Sequence, residues 1–175
     1  MLKAKYFILL ICFSFLLKTE AKVTLTSIWG DNMVLQQQSE VTFSGTATSG
    51  KRVQATASWN NKKIQTNVDA KGEWKLSLQT PVAGGPYSIT FSDGEDLTLQ
   101  NILIGEVWFC SGQSNMEMPV KGFRGQPVEG SCDAIATALP SDNIRMITLK
   151  INSSQTVLDD CVATPCCLLY TSELP

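Results

Sequence analysis

The sequence of 175 residues contains no histidine. An imidazole usually takes the proton from a catalytic serine or cysteine at neutral pH, so any such mechanism is incomplete within this chain. Zinc sites built on histidine are excluded as well, and six cysteines remain as soft ligands. Because the cysteine spacing matches no common zinc pattern, we expect neither a metal nor another cofactor.

An excess of charge of either sign is also missing. The chain has 14 basic and 16 acidic side chains and a sequence pI near 5.1. This balance gives no basic surface for nucleic acid or for an anionic membrane, so we expect no nucleic-acid partner. With 43% hydrophobic residues and a small net charge, the composition is that of a folded protein.

Long apolar runs are confined to the amino terminus. Residues 7–17 form an apolar run of 11 residues after Lys3 and Lys5, and Thr19-Glu20-Ala21 offers small residues for signal peptidase. The run is too short to span roughly 30 Å of hydrocarbon, which argues against a stable membrane anchor. We therefore predict that residues 1–21 are a secretory signal peptide and that the protein is secreted or periplasmic, or lysosomal in a eukaryote. Export makes disulfides possible.

Residues 23–102 contain short runs in which apolar and polar residues alternate. Period-two alternation predicts half-buried strands, and turn residues separate the runs. About eight short strands without a helix between them predict a β-sandwich, jelly-roll-like, over residues 22–103. The alternating apolar residues are Val41 and Phe43; Val53, Ala55, Ala57 and Trp59; Trp74, Leu76 and Leu78; Tyr87, Ile89 and Phe91; Leu97 and Leu99. The turn signals are Gly30-Asp31-Asn32, Ser49-Gly50, Asn60-Asn61, residues 69–72, Gly84-Gly85-Pro86 and Asp93-Gly94.

The pattern changes after residue 103. Residues 103–109 form a nearly continuous apolar run, which is typical of a buried strand in a parallel sheet. A helix over 132–139 with Ser131 at its cap and a strand over 143–151 follow. Strand, turn, helix and strand in this order predict the start of an α/β unit with a parallel strand pair. Residues 104–164 are therefore expected to be the incomplete start of a second domain.

The end of the chain departs from this pattern. The string Leu168-Leu169-Tyr170-Thr171-Ser172 after Cys167 resembles one translated frame of a sequencing adapter. We predict that the natural frame ends near Thr164 and that residues 165–175 are a non-native tail. A genuine cysteine-rich tail is the alternative.

The candidate chemistry lies in the turn that follows residues 103–109. A serine after a buried strand lies at the carboxyl end of the sheet, where ligand sites of α/β proteins form. A helix beginning beyond it would direct backbone N–H groups at a developing oxyanion. Gly112 lets the chain bend, and Ser114 is the candidate nucleophile. Because Met116 replaces the second glycine of a Gly-x-Ser-x-Gly elbow, Gly-Gln-Ser-Asn alone is also typical of an exposed turn.

A longer string is more specific. Residues 104–119, Ile-Gly-Glu-Val-Trp-Phe-Cys-Ser-Gly-Gln-Ser-Asn-Met-Glu-Met-Pro, closely resemble the nucleophile segment of the sialate O-acetylesterase family of SGNH hydrolases. Residues 28–36, 72–74 and 83–87 resemble the amino-terminal region of the same family. The resemblance extends from about residue 25 to residue 160 and includes several motifs in the right order.

The resemblance implies a β-sandwich followed by a flavodoxin-like SGNH hydrolase domain. It implies that Ser114 attacks the acetyl carbonyl and that its backbone N–H contributes to the oxyanion hole. The remaining oxyanion donors and the catalytic histidine belong to later blocks that are not visible in this sequence. We therefore expect a fragment of an exported serine esterase that acts on acetylated sialic acid or another acetylated carbohydrate. As it stands, the chain is expected to be inactive.

Two alternatives stay open. A noncatalytic β-sandwich could bind a glycan or a protein, with the serine turn as a linker. Within the enzymes, an acetylxylan-type polysaccharide deacetylase competes, because the nucleophile segment does not specify the sugar.

The tryptophans and glutamates have structural interpretations. Trp59, Trp74 and Trp108 are expected to pack in the core rather than to form a platform that stacks on sugars. Exposure is an alternative only for Trp29, which lies beside a turn. Glu106 and Glu117 are expected to be solvated or hydrogen-bonded structural carboxylates.

The cysteines outside the two ends allow several arrangements. Cys110 is expected to be buried behind the nucleophile, and Cys132 and Cys161 are candidates for a disulfide. The pairing among these three is not settled by sequence. Asn152-Ser153-Ser154 fits a glycosylation sequon, which matters in a eukaryotic secretory pathway.

Overall fold

A computed structural model describes residues 22–112, 116, 118–137, 143–150, 152–158, 160–161 and 163–166. The predicted signal peptide, residues 1–21, and most of the predicted tail lie outside the described residues. The described part contains ten strands and one short helix. They are β1 (Thr24–Leu25), β2 (Val34–Gln36), β3 (Glu40–Thr46), β4 (Arg52–Ala57), β5 (Lys63–Asn67), β6 (Glu73–Gln79), β7 (Gly84–Ser92), β8 (Asp96–Gly105), α1 (Ser131–Thr137), β9 (Met146–Leu149) and β10 (Ala163–Cys166).

The alternating runs form strands as predicted. In β6, Trp74, Leu76 and Leu78 are buried while the residues between them are more exposed. In β4, Val53 and Ala55 are buried in the same alternating way. Side chains point to opposite faces of a strand in turn, so each run places its apolar residues on one face.

Residues 22–105 form two sheets. The first has three strands in the order β1-β3-β6, and the second has five in the order β2-β8-β7-β4-β5. Neighbouring strands are antiparallel except β2 and β8, which pair in parallel with Val34 opposite Leu103 and Gln36 opposite Gly105. The parallel pair joins two segments that are far apart in the sequence.

The two sheets share one hydrophobic core. Phe43 of β3 and Phe91 of β7 are fully buried, and their ring centroids lie 5.2 Å apart. Trp74 of β6 packs against the same Phe91 ring at 5.6 Å. Burial of a side chain of this size contributes about 1.5–3 kcal/mol, so this contact between the sheets is a main source of stability.

One predicted turn is instead part of a strand. Gly84-Gly85-Pro86 begins β7, and the register against β8 is irregular between Gly84 and Tyr87. Gly85 has a φ of +130°, and a Cβ there would lie 2.8 Å from the Ile102 carbonyl oxygen. The glycine therefore forms a bulge that an ordinary residue would not fit, and the strand continues through it.

The apolar run over 103–109 is a strand only in its first part. β8 continues to Gly105 and ends there, opposite Gln36, the last residue of β2. Val107, Trp108 and Phe109 are exposed, with Trp108 at 83%. The prediction that Trp108 lies in the core is therefore wrong, because the neighbouring strand ends where β8 does.

The other three tryptophans contact the core or its edge. Trp74 is buried, and Trp59 is half-buried against Tyr87 with its indole N–H donating to the Gln79 carbonyl at 3.2 Å. Trp29 is half-buried, with its ring centroid 4.5 Å from that of Phe43. The core assignment is thus correct for Trp74, and Trp59 packs at the edge.

The segment after residue 106 contains the helix and strand that the sequence predicts, with a different pairing. Helix α1 begins at Ser131, and β9 lies within the predicted strand over 143–151. β9 pairs antiparallel with β10, with Met146 opposite Cys166. The predicted parallel pair with residues 103–109 is absent from the described residues, because the end of β8 is already paired with β2 on one side and β7 on the other.

Asp160 and Arg145 make polar contacts that join this later segment to the first sheets. The Asp160 carboxylate accepts hydrogen bonds from the Ser27 backbone N–H at 3.0 Å and the Ser27 hydroxyl at 2.9 Å. The Arg145 guanidinium donates to the Met33 carbonyl at 3.2 Å and to the backbone and side-chain oxygens of Asn101. A cavity of about 460 Å³ lies beside the contact between Asp160 and Ser27.

Within the described residues, no helix has the length and apolar character needed to cross a membrane.

Candidate functional site

Ser114, the predicted nucleophile, lies outside the described residues together with Gln113, Asn115 and Glu117. Its role therefore stays a prediction. The structure does describe the segment that leads to it, residues 106–112, and the junction from which that segment departs. Hydrogen bonds at this junction attach the first residues of the segment to the five-stranded sheet.

The segment leaves the fold at the carboxyl end of two parallel strands. β2 ends at Gln36 and β8 ends at Gly105, and these two residues lie opposite each other. The Gln37 backbone N–H donates to the Gly105 carbonyl at 2.8 Å, which extends the pairing by one bond. This parallel pair belongs to the five-stranded sheet, not to the α/β sheet at whose carboxyl end the sequence predicts the serine turn.

Glu106 is the first residue beyond the strand, and two glutamines hold its carboxylate. Gln36 Nε2 donates to Glu106 Oε2 at 3.0 Å, and Gln37 Nε2 donates to Glu106 Oε1 at 2.6 Å. The two glutamine carbonyl oxygens accept in turn from the backbone N–H groups of Val107 and Ala83, each at 2.9 Å. Glu106 is thus a hydrogen-bonded carboxylate, one of the two states expected from the sequence.

The hydrogen bonds also set the ionisation of Glu106. Donation from Gln36, and then from Gln37, stabilises the charged form and holds the pKa of this carboxyl below its ordinary value of 4.5. Desolvation acts in the opposite direction and is the smaller effect. Glu106 therefore stays ionised near neutral pH, where it accepts hydrogen bonds and cannot serve as a general acid.

Gly112 lies at a close approach of the chain to itself. A Cβ built on Gly112 would lie 2.5 Å from Met116 Cγ, which is closer than real Cβ contacts. A side chain at Gly112 would displace Met116, so the residue suits the bend that the sequence predicts there. Met116 is 51% exposed, and the intervening residues are outside the described part.

The cysteines differ from the expectation. Cys110 is exposed, not buried behind the nucleophile, because the chain has already left the sheet at Gly105. Cys132 is exposed and Cys161 is half-buried, and both are free thiols. The candidate disulfide between them is therefore not formed in this structure.

Sequence reasoning missed the glutamines that hold Glu106. Gln36 and Gln37 lie about seventy positions before Glu106, and nothing in a run of three glutamines indicates a carboxylate partner.

Among the described residues, no group of three acidic, cysteine or histidine side chains is placed to hold a metal ion.

No protein-family model matches the chain. The chain is 28% identical over 138 residues to the sialate O-acetylesterase of Mus musculus, which covers 73% of this chain and 25% of that protein. It is 36% identical over 98 residues to the enzyme of the same name from Rattus norvegicus, covering 50% of this chain and 18% of the relative.

A solved structure is also similar. A carbohydrate acetylesterase from Xanthomonas citri superposes with a TM-score of 0.70 at 25% identity, over 87% of this chain and 34% of that one. The chain thus spans about a quarter of the length of the curated relative from mouse and a third of the solved structure. These similarities confirm the resemblance to the sialate O-acetylesterase family that residues 28–36 and 104–119 predict.

Proposed function

We propose that the chain is part of a serine esterase that removes acetyl groups from a carbohydrate, with Ser114 as the nucleophile. The observation that carries the proposal is the similarity to acetylesterases over 138 residues at the sequence level and over 87% of the chain in the fold. The segment leading to Ser114 leaves the five-stranded sheet where the parallel strands β2 and β8 both end.

The proposed reaction follows the usual course of acyl transfer. The Ser114 hydroxyl oxygen attacks the acetyl carbonyl carbon while a base takes the hydroxyl proton. The base returns the proton to the departing sugar oxygen, and water then hydrolyses the acetyl-serine to acetate. The Ser114 backbone N–H donates to the oxyanion in both steps.

The base is not among these 175 residues if it is a histidine. We propose that it lies in a later part of a longer protein, and that the 175-residue chain alone has no useful esterase activity. In a serine protease, loss of the histidine costs about a millionfold in kcat, which indicates the size of the expected deficit.

The same proposal covers the domain organisation. Residues 22–103 are taken as a β-sandwich and residues 104–164 as the start of the SGNH hydrolase domain, with 165–175 as a non-native tail. The support is one core shared by two sheets, through Phe43 and Phe91, and the end of β8 at Gly105, two residues beyond the proposed boundary. Residues 1–21 would direct the protein to export.

The substrate is proposed to be acetylated sialic acid or another acetylated carbohydrate. The names of the curated relatives favour sialic acid, whereas the Xanthomonas citri protein is named more broadly for carbohydrate. Assays on both acetylated sialic acid and acetylated xylan separate these substrates.

Acetate release by a longer version of the protein, extended through the missing histidine block, tests the proposal. We expect Ser114→Ala to abolish acetate release and Ser111→Ala, an exposed serine three residues away, to retain it. Acetate release unchanged by Ser114→Ala would overturn the assignment of the nucleophile.

A further inference from the structure

At the exposed junction around Glu106, four hydrogen bonds link the Glu106, Gln36 and Gln37 side chains to one another and to the backbone. Both carboxylate oxygens of Glu106 accept from a glutamine amide, at 3.0 Å from Gln36 and 2.6 Å from Gln37. Both glutamine carbonyl oxygens accept a backbone N–H, from Val107 and from Ala83 at 2.9 Å. Each member therefore fixes the orientation of the next, which an isolated surface contact does not do.

The glutamines are themselves attached to a rigid frame. The Gln36 carbonyl accepts from the Thr80 hydroxyl at 2.7 Å, and Thr80 is buried. The Gln37 N–H is bonded to the Gly105 carbonyl at 2.8 Å. Side chains that start from paired strands and buried contacts can hold a partner with little freedom.

Three of the segments that resemble the esterase family meet at this junction. Gln36 ends the segment 28–36, Ala83 begins the segment 83–87, and Glu106 lies in the segment 104–119. They are distant in the sequence and converge only in the fold. The chain that continues from this point is the one that carries Ser114.

Beyond the junction, residues 106–112 form neither strand nor helix, and Trp108 and Phe109 are more than four-fifths exposed. Packing against the core therefore does not set the direction of this segment. Hydrogen bonds at Glu106 and Val107 hold its first residues to Gln36 and Gln37.

We propose that Glu106, held by Gln36 and Gln37, is a positioning residue that fixes the direction in which the serine-bearing segment leaves the sheet. The inference rests on the proposed function of Ser114. Misplacing a reacting group by about 1 Å costs on the order of a hundredfold in rate, so a fixed exit from the sheet matters for the chemistry.

The test uses the longer, histidine-containing protein and exchanges the carboxylate with one of its amide partners. In Glu106→Gln, an NH2 group replaces one of the two carboxylate oxygens. This NH2 faces the NH2 of Gln36 or Gln37, two donors cannot bond to each other, and one hydrogen bond is lost. In the double variant Gln36→Glu/Glu106→Gln, the new Gln at 106 donates to the new Glu at 36 and accepts from Gln37. The new Glu also accepts from Val107 N–H, so the whole network is restored with the same net charge.

We expect Glu106→Gln to lower kcat on the order of tenfold to a hundredfold with little change in KM, and the double variant to recover most of it. Glu95→Gln, at an exposed glutamate before β8, is the control and is expected to leave kcat unchanged. The thermal midpoint of each variant separates positioning from stability. A kcat unchanged in Glu106→Gln, or lost equally in the single and double variants, would overturn the proposal.

Amide hydrogen exchange at Val107 gives a second readout that needs no activity. Exchange is expected to be slow in the unsubstituted protein and the double variant, and faster in Glu106→Gln, because the Val107 N–H is held by Gln36. Equal exchange in all three would show that the network does not order the segment. If the unsubstituted longer protein released no acetate, the proposed function would be overturned. Amide exchange at Val107 would still show whether Glu106 and its glutamines order residues 106–112.

Discussion

Residues 22–105 bury apolar side chains of the kind that the described residues between 106 and 166 leave exposed. In the first region Phe43, Phe91 and Ile102 are completely buried between two sheets. In the second, Phe109 is 82% exposed and Val157 is 95% exposed. Apolar residues are present in both, so composition does not explain the difference. A strand buries its apolar face only where a second layer covers it, and the first region supplies that layer.

The two regions are also held together differently. Packing of rings such as Phe43 on Phe91 stabilises the first region. The second is joined to it by polar contacts, of which Asp160 to Ser27 and Arg145 to Asn101 are examples. Exposed hydrogen bonds contribute less than buried apolar contacts, so we expect the stability of the molecule to reside in residues 22–105.

The largest effect expected from this comparison comes from the same substitution made in each region. Phe43→Ala should lower the free energy of unfolding by about 3–5 kcal/mol, because it leaves a cavity between the sheets. Phe109→Ala should change it by less than about 0.5 kcal/mol, since this ring is 82% exposed. Urea denaturation followed by circular dichroism measures both. Equal losses would show that Phe109 is packed as firmly as Phe43.

A smaller effect concerns the tryptophans. Trp108 is 83% exposed and Trp74 is 2% exposed, so acrylamide should quench the fluorescence of Trp108 far more readily. Trp108→Phe should remove the quenchable, long-wavelength component, and the matched variant Trp74→Phe should leave it. If Trp108→Phe removed a component resistant to quenching, its side chain would be covered in solution.

The smallest effect concerns the contact between the regions. Hydrogen bonds from Ser27, the backbone N–H first, hold the pKa of Asp160 below its ordinary value of 3.8. A lowered pKa in the folded state means that the contact stabilises the molecule above that pH range and is lost as the pH falls through the folded pKa. The gain is small, because the carboxylate is exposed to solvent.

Amide exchange at Ser27 measures this contact. In Asp160→Ala, exchange at Ser27 should be faster than in the unsubstituted protein at neutral pH, and the difference should vanish at pH values below the lowered pKa. The Ala47 N–H, bonded to the Gly72 carbonyl at 2.9 Å, is the internal control and should exchange equally in both. A difference that persisted in acid would assign the protection of Ser27 to another group.

How far the sequence predicts the fold depends on the range of the interactions. The strands β3, β4 and β6 are predicted from alternating apolar residues such as Trp74, Leu76 and Leu78. Successive side chains of a strand point to opposite faces, so the pattern can be read without knowing the neighbouring strands. The parallel pairing of β2 with β8 is not predicted in this way, since it joins residues 34–36 to 103–105. Trp108 shows the same limit, because an apolar run does not reveal where its neighbouring strand ends.

The candidate site divides in the same way. Gly112 is predicted locally as a bend, and the structure places it at a close approach to Met116. The hydrogen bonds between Glu106 and the two glutamines arise only when distant segments meet in the fold. Ser114 is predicted from the motif around it, and it lies outside the described residues.

Mass spectrometry of the longer protein after reaction with a fluorophosphonate determines whether Ser114 is the nucleophile. We predict one phosphonate adduct, on the peptide containing Ser114, and none on the 175-residue chain treated in the same way. An adduct on another serine, or a histidine-containing protein that hydrolyses acetyl esters without labelling at Ser114, would contradict this prediction.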